Sequence, residues 1–202
     1  MSVLWLLLAA GAWGAVHSFL ASLVAKNTVQ IRAGQGPIRL YRLGYNVFAA
    51  ASFLPVLWLM VSLPDQPLYR VPAPWSFLML AGQVLAALLL VVGILETDTL
   101  SFVGLRQIVQ GEKPASLVTT GLYRLVRHPL YTAGLLFLWL SPSVSVNSFT
   151  VYLALTAYIL IGARFEERKL LREFGEAYAE YRKATPMLIP GLKINASKHE
   201  GR

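Results

Sequence analysis

Apolar residues along this chain come in blocks separated by short polar islands. Met1 to Val24, Leu40 to Leu63 and Trp75 to Leu95 each hold roughly the 20 apolar residues a bilayer span needs. Leu130 to Leu140 and Phe149 to Ala163 are shorter and are joined by Ser-Pro-Ser-Val-Ser-Val-Asn-Ser, which predicts a tight helical hairpin, tilted or locally thinning the bilayer. The pattern therefore predicts an all-α, polytopic membrane protein with one membrane domain over 1–202 and five spans near 2–24, 40–63, 75–95, 129–142 and 148–165. Beyond the fifth span the period changes. At about 100° per residue, Leu170, Leu171, Phe174, Tyr178 and Tyr181 form one stripe, with Arg168, Lys169, Arg172, Glu173, Glu176 and Glu180 opposite. That predicts an amphipathic helix lying along the membrane face.

Composition agrees with the blocks. The 202 residues are 56% hydrophobic and 14% charged, where a soluble domain carries about 25% charge. The first block contains Ala-Ala-Gly-Ala-Trp-Gly-Ala, which resembles a signal-peptide cleavage region, but it has no basic n-region and four further spans follow, so it is expected to be retained. The net charge of +8 is topological. Four basic residues fall between spans one and two, four between three and four, and nine after the fifth, leaving Arg70 alone on the other side. The positive-inside rule then places the N-terminus outside and the C-terminus in the cytoplasm, and no nucleic-acid partner is expected. Cysteine is absent, which excludes disulfides and thiol nucleophiles. The histidines His17, His128 and His199 lack zinc-site spacing, so no metal is expected. No internal repeat of the transporter kind is present.

Two polar islands carry the candidate chemistry. The first, Thr119 to Gly134, packs Arg124, Arg127, His128, Tyr123 and Tyr131 against the start of an apolar run. Ionisable residues at the mouth of a membrane helix are costly and mark a site by default. Pro129 is suited to the first turn of a helix, which predicts a helix start there with His128 at its boundary and its positive dipole end toward an anionic group. The second island is Arg164-Phe165-Glu166-Glu167-Arg168. Glu167 falls in the middle of the apolar stripe and Glu166 on its border. A carboxylate there needs a partner: either an ion pair with Arg164, Arg124 or Arg127, or a cationic or hydroxyl-bearing ligand. His17 and Asn46 are expected at the depth of His128 and Glu167, so that four polar groups converge on one cavity.

Arg127-His128-Pro129-Leu130-Tyr131 with Gly134, then Glu166-Glu167, then Phe174-Gly175-Glu176-Ala177-Tyr178 and Tyr181, resembles the isoprenylcysteine carboxyl methyltransferase family of integral-membrane methyltransferases. The resemblance covers Gln107 to Pro190. It implies S-adenosylmethionine as cofactor, bound at the cytoplasmic ends of the last helices. It also implies cofactor contacts at Gln110, Ser116, Leu117, Val118, Tyr123, His128, Pro129, Tyr131 and Glu166; the stripe adds Glu167, and Arg127 or Arg124 would hold the cofactor carboxylate, since an arginine fork suits that geometry. The family's substrate-binding arginine, four residues before the glutamate, is Gly162 here, with Arg164 the nearest alternative. His17-Ser18, Tyr41 to Asn46 and Asp98 to Gln107 are similar to the branch that includes methanethiol S-methyltransferases.

The expected activity is methyl transfer to a small or hydrophobic thiol entering from the bilayer, with His17, Arg164 and Glu167 as catalytic candidates. His17 would assist deprotonation, because imidazole titrates near neutral pH. Carboxyl methylation of an isoprenylated cysteine, methylation of a lipid, and a non-enzymatic scaffold or transporter are the alternatives.

Overall fold

The computed structural model describes residues 1–110 and 116–192, apart from the side chains at 33, 35–37, 101, 102, 107, 109 and 110. The described chain is mainly helical. Four helices are long and apolar enough to cross a membrane: α1 (Ser2–Ala21), α3 (Gln35–Ser62, apolar from Ile38), α4 (Trp75–Glu96) and α8 (Val146–Phe174). Between them lie α2 (Leu23–Ala33), β1 (Pro67–Arg70), the short helices α5 (Thr99–Val103) and α6 (Leu105–Gln110), a 3-10 turn (Gly121–Arg124), α7 (Pro129–Trp139) and β2 (Ser143–Ser145). Helix α9 (Glu176–Ala184) ends the regular structure.

Local chemistry sets these boundaries. Ser22 stops α1 and caps α2 by accepting a hydrogen bond from the Ala25 N–H at 3.2 Å, so the first span ends at Ala21 rather than near Val24. Helix α8 opens with a capping box: Ser145 Oγ accepts from Ser148 N at 3.2 Å, and Ser148 Oγ accepts from Ser145 N at 2.8 Å. The predicted hairpin connection is more ordered than a turn, because β2 pairs antiparallel with β1. Asn147, fully buried, donates through Nδ2 to the Met60, Leu63 and Pro64 carbonyls at 3.2–3.4 Å and satisfies the end of α3.

The helices pack by pairing small residues with large ones. Leu6, Ala10, Val56 and Val151 make the core where α1, α3 and α8 meet. Helix α7 lies on α4, where Leu140 and Leu130 fill the places a Cβ on Gly82 and Gly93 would occupy. Small residues at membrane helix contacts permit this approach. Leu78, Leu88 and Trp58 are among many large apolar side chains left exposed, as a lipid-facing surface requires. The amphipathic segment is corrected in one respect. It continues α8 without interruption and then breaks at Gly175, whose φ of 54° ends the helix before α9 begins. The stripe itself is real: Leu170, Leu171, Phe174 and Tyr181 are half-buried, Tyr178 is buried, and the opposite residues are exposed.

Candidate functional site

The start of α7 is built by the chain end that follows α9. Four successive carbonyls, Thr185 to Leu188, run alongside residues 127–132. Arg127 Nη1 donates to Thr185 O, Arg127 N to Pro186 O at 2.9 Å, His128 N to Met187 O at 3.1 Å, and Thr132 Oγ1 to Leu188 O at 2.7 Å. Pro129 sits at the first helical position, buried, with buried His128 as N-cap. The predicted helix start is therefore present, strapped in place by backbone acceptors.

Glu167 is the hub. Its Oε1 accepts from Arg127 Nε at 2.7 Å, lies 2.6 Å from Arg127 Nη2, and lies 3.3 Å from His128 Nε2. The side chains of Arg127 and Glu167 are 9% and 12% exposed, against 44% for Glu166. Of the three arginines considered as its partner, Arg127 is the one chosen. Arg127 also donates to Arg182 O at 3.1 Å. Its fork is thus committed to Glu167 and the strap, which makes Arg127 a positioning residue rather than the holder of a cofactor carboxylate. Glu166 faces outward from this hub. Its Oε2 accepts from Tyr131 O–H at 2.8 Å and lies 3.7 Å from His128 Nδ1. The His128 and Tyr131 rings stack at 5.3 Å and 14°.

Tyr123 stands beside the hub on the 3-10 turn. Burial first, then the Glu166 and Glu96 carboxylates, push its hydroxyl up to about 12. Burial also pushes Tyr181 up to about 12, so both hydroxyls are donors at neutral pH, and Tyr181 donates to Tyr123 O at 2.5 Å. Tyr178 is buried beside Arg127 and Glu167, its hydroxyl without a hydrogen-bond partner. Glu96 was not anticipated. It closes the 3-10 turn by accepting from Leu122 N at 2.8 Å, against Gly121 at φ 60°. An acid at the end of the third span was the available signal.

The remaining expectations divide. Ser116, Leu117 and Val118 lie in the irregular stretch before the 3-10 turn, Ser116 exposed and the others half-buried. Gln110 ends α6, its side chain outside the described residues. Arg164 is exposed and folds back on Leu160 O at 3.2 Å, joining neither acid. Asn46 donates to Val103 O at 2.9 Å and ties α3 to α5. His17 belongs to a second cluster: its Nε2 is 2.7 Å from Tyr45 Oη and its ring stacks on Trp13 at 4.8 Å. The four polar groups expected in one cavity are thus spread over different contacts. Tyr131 lies between the two clusters, with Tyr45 and Tyr158 within electrostatic reach of its hydroxyl.

This chemistry suits S-adenosylmethionine. A half-exposed carboxylate fixed by a tyrosine and ringed by His128, Tyr131 and Tyr123 fits a cationic sulfonium or ammonium.

Comparison with known proteins finds methyltransferases. The chain is 32% identical over 164 residues to methanethiol S-methyltransferase 2 of Bradyrhizobium diazoefficiens, covering 77% of this chain and 62% of that protein. It is 33% identical over 158 residues to a methanethiol S-methyltransferase of a Pseudomonas species, covering 73% and 57% respectively. It is 38% identical over 96 residues to the protein-S-isoprenylcysteine O-methyltransferase of Xenopus laevis, covering 43% and 32%. The chain thus spans less than two thirds of the length of each. No family model matches it, and no solved structure matches it significantly.

Proposed function

We infer that this chain, which belongs to the isoprenylcysteine carboxyl methyltransferase family of integral-membrane methyltransferases, transfers a methyl group from S-adenosylmethionine to a small or hydrophobic thiol. The observation that carries this reading is the fixed, half-exposed Glu166 among aromatic rings at the mouth of α7 and α8. Glu166 would hold the cofactor's ammonium or ribose, with Tyr123, His128 and Tyr131 against its adenine or sulfonium. Arg124, exposed on the 3-10 turn, and the N-terminal turn of α7 would take its carboxylate. Ser116, Leu117 and Val118 would supply backbone contacts. When bound, the cofactor supplies an electrophilic methyl on a sulfonium.

The protein's own contribution is position and dryness. Glu167 and Arg127 lock His128 and the strap, so the ring that meets the cofactor does not move. His17 serves the acceptor side. Gly162, in place of an arginine, offers no cation at that position to a substrate carboxylate, which favours a thiol over a prenylcysteine carboxylate. The names of the first two relatives point the same way.

The topology proposed is five crossings, with the N-terminus outside and the C-terminus cytoplasmic, as the basic residues require. Helix α7, at 11 residues, is the short crossing and would demand local thinning of the bilayer. Calorimetric titration of S-adenosylmethionine into detergent-solubilised protein tests the reading, with headspace detection of a methyl sulfide from added alkanethiol. Glu166→Ala should weaken cofactor binding at least tenfold. No binding to the wild type would overturn the enzyme reading altogether, and binding without methyl sulfide would redirect it to a lipid or prenylated acceptor.

A further inference from the structure

Trp13 and His17 on α1, Tyr45 on α3 and Tyr158 on α8 form a cluster of rings and titratable groups within the membrane bundle. His17 is stacked on Trp13, and its ring centroid is 5.0 Å from that of Tyr45 and 5.8 Å from that of Tyr158. Its Nε2 lies 2.7 Å from Tyr45 Oη, within hydrogen-bond reach. Tyr158 shares a hydrogen bond with Ser18 Oγ at 3.0 Å. Tying α1 to α3 does not require this pair. Tyr41 O–H already donates to Leu20 O at 2.6 Å, and Trp13 Nε1 to Ala49 O at 3.3 Å. A proton donor–acceptor pair in lipid-embedded surroundings is an expense that a structural role leaves unexplained.

Open space lies along α8 beyond Tyr158. Tyr158, Gly162 and Glu166 follow one another at four-residue intervals along one face of α8, while Tyr131 and Gly134 share a face of α7. Tyr131 bridges the two helices through Glu166. A Cβ on Gly162 or Gly134 would meet nothing within 4 Å. Around Gly162, midway between Tyr158 and Glu166 on α8, there is therefore space that no side chain fills.

We propose that a small neutral thiol sits in this space beside Tyr45 and passes its proton through the Tyr45 hydroxyl to His17. The proposal rests on the methyltransferase reading above. A free thiol ionises near pH 8.5 and is mostly neutral at pH 7, yet the thiolate is the nucleophile. The S–H bond breaks and its electron pair stays on sulfur. The proton goes to Tyr45 Oη as the Tyr45 proton goes to His17 Nε2, leaving a thiolate and an imidazolium. The Trp13 face against the ring steadies the cation. The groups facing His17 are Trp13 and Ser18 from its own helix, Tyr45 from α3 and Tyr158 from α8. Among the described residues no carboxylate bonds to it, so the imidazolium is not trapped and returns its proton after turnover.

The test is Tyr45→Phe and His17→Gln in the full-length protein, assayed at pH 7 with two acceptors: an alkanethiol, and an aryl thiol already ionised at that pH. Cofactor affinity is measured in parallel by calorimetry. Both variants should lose at least a hundredfold in turnover of the alkanethiol, stay within about threefold of wild type with the aryl thiolate, and bind cofactor as wild type does. Equal losses with the two acceptors, or undiminished alkanethiol turnover, would overturn the relay while leaving the methyltransferase reading in place. A wild-type protein that binds cofactor but methylates neither thiol would sink the relay and redirect the acceptor, and one that binds no cofactor would sink both.

Discussion

Removing the Glu167 carboxylate isolates what holds the site together. In Glu167→Ala, Arg127 loses two of its four hydrogen-bond contacts and His128 loses one, while Arg127 keeps the Arg182 and Thr185 carbonyls. Breaking a buried ion pair from one side costs about 3–5 kcal/mol, because the survivor is left charged and unpaired. The retained carbonyls place this case near the lower figure, about 3 kcal/mol. For a chain of this size that is a fall in melting temperature of roughly 6–12 °C. Glu167→Gln keeps an acceptor oxygen and loses only the charge assistance, about 1–2 kcal/mol. Adding Arg127→Met to Glu167→Ala removes the stranded cation, so the double variant should be less destabilised than the sum of the singles by at least about 1 kcal/mol. Thermal unfolding of the purified protein in one detergent, followed by circular dichroism, measures all four. Additive losses, or a Glu167→Ala protein melting within about 2 °C of wild type, would show that the pair does not hold the strap to α7.

Other sites give sharp expectations. Gly121→Ala would force a side chain into a backbone of φ 60° and place its Cβ 2.0 Å from Glu96 Oε1. The strain costs about 1–2 kcal/mol and displacing the carboxylate costs more, so Glu96→Ala should fall closer to wild type than Gly121→Ala in the same melting assay. Asn147→Ala should cost about 2–3 kcal/mol, because three carbonyls at the end of α3 lose their donor in a fully buried position; an unchanged denaturant midpoint would contradict this. Tyr123 and Tyr181 have folded pKa values near 12, above about 10 for an unfolded tyrosine. Their contribution is full below pH 10 and lost as pH rises through 12, and Tyr181→Phe should flatten that alkaline limb in a melting-temperature profile against pH.

What could be read from the sequence was whatever has a period or a price. The apolar stripe from Leu170 to Tyr181 survives the break at Gly175 because burial depends on facing, not on helix continuity. The ranking of Glu167 as the inward acid follows from the same stripe, and the exposures of 12% and 44% agree with it. What could not be read was backbone acceptance. Carbonyls have no sequence signature, so nothing in Arg182 or Thr185 announces that it will take up part of the Arg127 fork. The arginine read as a ligand-binding fork proved to be a fastening. The β1–β2 ribbon escaped for a related reason, since strands of four and three residues pair across some 70 residues of chain.

The expectation that His17, Asn46, His128 and Glu167 would meet held for His128 and Glu167, 3.3 Å apart, and failed for the other two. Counting residues from the basic clusters gives depth in the membrane, one coordinate of three. The azimuth comes from packing, and packing sends α7 to α4 and α1 to α8. Equal depth therefore became two clusters. They are reconnected along α8, where Tyr158 and Glu166, eight residues apart, are separated by about 12 Å at 1.5 Å per residue. A methyl donor held at Glu166 and an acceptor beside Tyr45 can meet only partway along that distance, which is the level of Gly162. On the proposed function, the residue that departs from the family's arginine would therefore be the one whose smallness the methyl transfer needs. Gly162→Leu should abolish thiol turnover while leaving cofactor affinity within about threefold of wild type. Loss of cofactor binding instead would mean that the glycine serves the donor side.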